Sequence, residues 1–238
     1  MKYFVTADVH GFYDELILAL KQKGFDENDS SHILIICGDL FDRGDKPQQI
    51  IDFVNKLGKR VILIRGNHED LMEEMLRRGF PLSHDGHNGT IKTIMALNSN
   101  YGKTEFNLRK IAVDSGLQKI LDSTVDYLEI GDYIFVHAWI PTYITGYPDE
   151  EDWRKADSEA WQRARWVNPV KMYKYKTFEK GKIIVCGHYP CSALWEEREG
   201  EKYSAENENH SPFIDENIIG LDASTYKSHI VNVIVIEE

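Results

Sequence analysis

An α/β protein with a largely parallel sheet is predicted by two features of this chain. Short apolar β-runs alternate with helical patterns, and most β-runs end at an Asp, Asn or His. A third observation sets the scale. With 238 residues, 42% of them hydrophobic, the chain can bury a substantial core, and we expect one domain over 1–238.

Residues 3–7 read as the first strand, and Asp8-Val9-His10-Gly11 as its turn. Residues 12–23 follow as a helix with Leu16, Ile17 and Leu20 on one face, stopped by Gly24. Strand two is 33–37, and it opens into Gly38-Asp39-Leu40-Phe41-Asp42-Arg43-Gly44. Pro47 starts a helix over 48–57 that turns Ile50, Ile51 and Val54 inward. Strand three, 61–64, leads through Arg65-Gly66-Asn67-His68-Glu69 into a helix carrying Leu71, Met72 and Leu76. Strand and helix alternating at such short lengths predict right-handed βαβ units.

The rhythm then changes to a helical excursion at about 71–123. It contains a polar stretch at 83–89, read as a loop, and helical patterns at 91–97 and 108–121. Strands return at 125–130 and 133–136, joined by Gly131-Asp132, and the second delivers His137. The Trp- and Tyr-rich stretch 140–169 contains a helix near 158–163. Strand 182–185 delivers Gly187-His188. The charged run 196–209 reads as a solvated loop, and strands 218–221 and 230–236 close the sheet.

Charge narrows the function. The chain has 28 basic against 39 acidic residues, a net −11, so neither nucleic acid nor an anionic membrane is an expected partner. No apolar run approaches a membrane span, and the N-terminus lacks the pattern of a signal peptide. Cys37, Cys186 and Cys191 have no zinc spacing and make a poor disulfide framework, which points to the cytoplasm. The sequence carries no reading of oligomeric state.

The strand ends supply Asp8, His10, Asp39, Asn67, His68, His137 and His188. In open α/β sheets ligands gather beyond the carboxyl ends of strands, so these loops can converge. Taken singly, each fragment is ordinary. An Asp-x-His is common, and His137 between Val136 and Ala138 would suit a core. Five fragments in order, all at strand ends, are not independent accidents. Imidazole with carboxylate suits borderline divalent ions such as Mn, Fe and Zn, and one carboxylate can bridge two of them.

These motifs, from Asp8-Val9-His10-Gly11 to Gly187-His188, resemble those of the calcineurin-like metallophosphoesterases, and the resemblance spans nearly the whole chain, from Asp8 to about Asp222. More narrowly the chain is similar to the small bacterial and phage phosphoprotein phosphatases. The resemblance implies two β-sheets packed as a sandwich with helices outside, and two divalent ions, Mn in the first place. Asp8, His10 and Asp39 would hold one ion; Asp39, Asn67, His137 and His188 would hold the other. It further implies His68 as general acid paired with Asp42, Arg43 on the substrate phosphate, and Arg165 beside Trp166 as a second phosphate-binding arginine, a surface role being the alternative.

The expected substrate is phosphoserine or phosphothreonine in a protein. The opening Asp8–Leu16 also resembles the symmetrical bis(5'-nucleosyl)-tetraphosphatases, which would act on a small phosphorylated substrate. Those look to have Ala in place of Asp42 and Asp in place of Glu69. A non-catalytic binding module on the same fold is the third alternative, set against by the filled ligand positions.

Overall fold

The computed structural model describes residues 1–99, 106–142 and 152–237. Its first half contains β1 (Lys2–Thr6), α1 (Tyr13–Gln22), β2 (His32–Cys37), α2 (Pro47–Leu57), β3 (Val61–Ile64) and α3 (Asn67–Arg78). The helical excursion follows as α4 (Ser83–Asn88), α5 (Thr90–Ser99), α6 (Leu108–Ser115) and α7 (Leu117–Asp122). Next come β4 (Leu128–Ile130), β5 (Tyr133–Phe135), α8 (Ser158–Ala164), α9 (Pro169–Lys174), β6 (Ile183–Cys186) and α10 (Cys191–Glu199). The described chain finishes with β7 (Phe213–Asp215), β8 (Ile218–Gly220), α11 (Thr225–Ser228) and β9 (Ile234–Glu237).

Two sheets result. One has the order β3-β2-β1-β9, with β1, β2 and β3 parallel and β9 antiparallel to β1. The other has the order β4-β5-β6-β8-β7, with a parallel centre and antiparallel edges. The two-residue period of a strand explains why both pack on two sides. On β2, Leu34 and Ile36 join the core under the helices of the first half, while Ile35 and Cys37 face the second sheet. On β6, Ile184 and Cys186 pack outward with Trp139 and Trp161, while Val185 turns inward. The layers therefore run helix, sheet, sheet, helix, as the resemblance implied.

The structure corrects several local readings. The final runs do not close one sheet: β8 belongs to the second sheet and β9 to the first. The polar stretch at 83–89 is mostly helix, held by an ion pair from half-buried Arg78 to buried Asp85 (2.6 Å) instead of an apolar stripe. The charged run begins inside α10, whose Cys191 and Leu194 anchor it until left-handed Gly200. Sequence reasoning missed α9, although Asn168 caps it and Pro169 starts it, and it missed β7, anchored by buried Phe213. Of the Trp- and Tyr-rich stretch, residues 143–151 lie outside the described residues. Among the described residues no helix is long and apolar enough to cross a membrane.

Candidate metal centre

The strand ends meet at one edge of the sandwich, and the backbone there is unusual. Among the described residues nine non-glycines have left-handed φ, and Asp8, His10, Asp39, Asp42, Arg43 and His188 are six of them. Each such residue costs about 1–3 kcal/mol, which the surroundings must offset. Cross-loop hydrogen bonds do so: His10 N–H donates to Asp39 O (2.8 Å), Gly11 N–H to Leu40 O (2.7 Å) and Gly44 N–H to His10 O (2.7 Å). Gly38 lets the loops close, since a Cβ there would lie 2.5 Å from His137 Nδ1.

Asp39 sits at the middle. One carboxylate oxygen is 3.7 Å from His10 Nε2 and 3.8 Å from His68 Nε2; the other is 3.5 Å from His137 Nε2. His137 Nε2 also lies 2.7 Å from Asn67 Oδ1 and 3.2 Å from His188 Nδ1. Asp8 accepts from the His188 backbone N–H at 3.0 Å. Two triads have all their donor atoms within 4.8 Å of one another: His10, Asp39, His68 and Asp8, Asp39, His137. Asp39 is common to both, as a bridging carboxylate should be.

The chemistry of this donor set fits divalent ions. His10 Nδ1 faces the carbonyl of Phe41 and His137 Nδ1 that of Cys37, both at 2.9 Å. A carbonyl only accepts, so both Nδ1 atoms carry hydrogen; the Nε2 lone pair of His137 lies beside Asp39, and that of His10 lies between Asp39 and an Arg43 N–H. Burial holds His10 and His188 neutral down to about 3 and lowers His137 as well, leaving each imidazole in its ligating form. Burial would raise Asp39, but His137, His68, His10 and His188 together pull it below the usual carboxylate range. Burial raises Asp8, reinforced by Asp222 and Asp39. Buried carboxylates this crowded call for cations.

Asp222 was not singled out from sequence. It lies just beyond β8, is buried, and is pushed up to about 6 by burial and, more weakly, by Asp39. Its signal was the same as that of the others, an acid directly after an apolar β-run. Glu69 was likewise given no role, although its carboxylate takes three backbone N–H groups: Asp39 (2.9 Å), Leu40 (2.9 Å) and Gly66 (2.8 Å). It thereby ties the loop after β2 to the start of α3.

The proposed acid pair is assembled. His68 Nδ1–H donates to Asp42 Oδ2 at 2.7 Å, and both side chains are buried. Thr90 and Thr93 hydroxyls donate to the same carboxylate at 3.0 and 3.2 Å, two partners unforeseen from sequence. Burial opposes the His68 charge, but Asp39 and Asp42 outweigh it and raise the imidazole. Arg43 reaches His10 Nε2 (3.0 Å) and His68 Nε2 (3.2 Å), with its guanidinium 4.6 Å from the centre of the Tyr226 ring.

Arg165 is placed differently from either expectation. It is buried, so the surface role is excluded, and its fork is occupied by carboxylates. Nε and Nη2 donate to Asp70 at 2.7 and 3.2 Å, and Nη1 donates to Asp126 at 2.7 Å.

A two-sheet sandwich whose strand ends gather His, Asp and Asn around one carboxylate defines a metallophosphoesterase-type site. The calcineurin-like phosphoesterase family model matches residues 1–219, and the chain belongs to that family. A symmetrical bis(5'-nucleosyl)-tetraphosphatase of Buchnera aphidicola subsp. Baizongia pistaciae is 40% identical over 69 residues, 29% of this chain and 24% of the relative. The asymmetrical bis(5'-nucleosyl)-tetraphosphatase PrpE of Bacillus velezensis is 34% identical over 76 residues, 29% of this chain and 30% of that one. The matches thus span about a quarter of the length of these curated relatives. Among solved structures, a cold-active protein-tyrosine phosphatase of a psychrophilic Shewanella superposes with a TM-score of 0.62 at 18% identity, covering 100% of this chain and 75% of that one. A structure titled as a candidate diadenosine tetraphosphatase gives 0.58 at 14%, covering 99% and 89%. At such identities the likeness is one of fold.

Proposed function

We propose that the chain is a metal-dependent phosphate ester hydrolase that uses His68 as general acid and acts on phosphoserine or phosphothreonine in proteins. The observation that carries this reading is the buried 2.7 Å hydrogen bond from His68 to Asp42, next to Asn67 and Asp39. Two divalent ions held by Asp8, His10, Asp39, Asn67, His137 and His188, Mn first and Fe or Zn as alternatives, would acidify a water so that hydroxide is available for in-line attack. Arg43 offers its fork to the phosphoryl oxygens, geometry a lysine cannot copy. His68 gives a proton to the leaving oxygen as the P–O bond breaks, while Asp42 fixes the ring and favours its charged form. Buried free cysteines suit a reducing compartment, which supports a cytoplasmic location.

A dinucleoside tetraphosphatase is the second reading, favoured by the names of the relatives just given. Leaving-group chemistry separates the two. The alkoxide of serine is very basic and needs the proton, whereas a nucleotide phosphate leaves readily without it. General acid help is worth about 10²–10⁴-fold where needed. With Mn²⁺ supplied, kcat/KM should favour a phosphopeptide over diadenosine tetraphosphate, and His68→Asn should damage the first reaction far more. Metal content of the variant is checked first, because Asn67 adjoins His68. Strong preference for diadenosine tetraphosphate, with equal damage to both reactions, would install the second reading.

A further inference from the structure

We infer that Arg165 is a positioning residue: through Asp70 it fixes the first turn of α3, and with it Asn67 and His68, instead of contacting the phosphoryl group. The inference rests on the hydrolase reading only in giving those two side chains their tasks.

The geometry is that of a latch. Arg165 directly follows α8, and its Nε, Nη1 and Nη2 are all engaged by carboxylates. Its grip on Asp70 is bidentate, the arrangement for which a guanidinium is shaped. Turning the fork toward a phosphate would break this bidentate pair and leave half-buried Asp70 to Arg65 alone. Asp70 is the fourth residue of α3, and the three before it are Asn67, His68 and Glu69. Three residues are less than one helical turn, so anchoring Asp70 fixes where those side chains start.

A second arginine closes the latch from the other side. Arg65 Nε donates to Asp70 Oδ1 at 2.6 Å, Nη1 reaches Thr124 Oγ1 at 3.3 Å, and Nη2 pairs with Glu73. Its backbone N–H donates to Val125 O at 2.8 Å. Residues 66–69 are thus held at both flanks against the segment 124–126. The next residue after Arg165 extends the contact, because the Trp166 ring lies edge-on to His188 with centroids 6.0 Å apart. One short stretch after α8 therefore reaches both the first turn of α3 and the loop that carries His188.

The test compares Arg165→Met, Asp70→Asn and the double variant, all as the full chain, by Mn²⁺ titration with electron paramagnetic resonance and by hydrolysis of phenyl and p-nitrophenyl phosphate. If Arg165 acts through Asp70, each single variant weakens Mn²⁺ binding about 10–100-fold, the range for losing an outer partner of a metal site. The double variant is then no worse than the singles. Phenyl phosphate, with its poorer leaving group, loses more rate than p-nitrophenyl phosphate, and competitive inhibition by inorganic phosphate is unchanged. The inference is overturned if Arg165→Met weakens phosphate inhibition tenfold or more while Asp70→Asn leaves it alone, which makes Arg165 a phosphate ligand. Should the wild type hydrolyse neither ester, the hydrolase reading falls and the Mn²⁺ titration alone decides: equal losses support the latch, no loss in either variant refutes it. If Arg165→Met does not fold, Arg165→Lys replaces it. That variant keeps the charge but not the fork, and the same outcomes apply.

Discussion

Glu69→Gln tests how much of the site is held by one carboxylate. In the native protein two backbone N–H groups, from Asp39 and Gly66, donate to Oε2, and a third, from Leu40, donates to Oε1. Glutamine keeps the shape but turns one oxygen into a donor. With its oxygen placed on Asp39 and Gly66, its NH₂ must face the Leu40 N–H. A buried donor left unmet costs about 1–3 kcal/mol. The other two bonds lose their charge assistance, about 1 kcal/mol each, the difference between charged and neutral hydrogen bonds. These losses sum to about 3–5 kcal/mol, part of which the variant regains by removing a buried charge that Asp39 repels. The assay is urea unfolding of chelator-treated protein followed by circular dichroism. It is run at pH 8, above the value of about 7 to which burial, then Asp39, push this carboxyl. Hydrogen-exchange protection of the Asp39, Leu40 and Gly66 amides unchanged in the variant would mean that these amides find other partners and that Glu69 does not tie the loops.

Asp39→Asn should remove the shared anion of both donor triads. Elemental analysis should then find less metal than in wild type, and full occupancy with a near-normal rate would exclude the bridge. Chelation should abolish hydrolysis of p-nitrophenyl phosphate and added Mn²⁺ should restore it; indifference to every divalent ion counts against the dinuclear reading. Gly187→Ala would drive a Cβ into the Asp8 carboxylate and to 2.6 Å from Ala7 Cβ. It should lower stability by about 1–3 kcal/mol, typical of overpacking, and weaken metal binding, both read by melting with and without Mn²⁺. The Tyr173 hydroxyl donates to Asp215 at 2.5 Å and holds that carboxyl below its ordinary value. A depressed folded pKa gives stability that is present above the unfolded value, about 3.9, and lost as pH falls through the folded one. The deficit of Tyr173→Phe in urea unfolding should therefore shrink below about pH 4, and a constant deficit would refute the link.

The convergence of the proposed ligand positions was legible because their context is local. Asp8, Asp39, His137 and His188 each follow an apolar β-run, and parallel strands bring such ends together. The partners of those residues were not legible, because they come from distant segments. Thr90 and Thr93 reach Asp42 from α5, and Asp70 reaches Arg165 across 95 positions of sequence. No periodicity encodes such pairings. The helix at 83–88 was missed for a related reason: its anchor is the Asp85–Arg78 ion pair, while its own residues are mostly polar. Asp222 was a different kind of miss, since it obeys the strand-end rule that found the others.

The imidazoles of His10 and His137 are oriented by main-chain oxygens, those of Phe41 and Cys37, whereas His68 is oriented by the side chain of Asp42. A point substitution can delete a carboxylate but cannot delete a peptide carbonyl. The two halves of the chemistry therefore differ in how readily they can drift. The grip of these two imidazoles is written into the backbone and survives replacement of either neighbour, so long as the loop keeps its path. The proton delivery proposed for His68 hangs on one replaceable group, so a single change at position 42 would retune which leaving groups are accepted while the rings of His10 and His137 stay aimed.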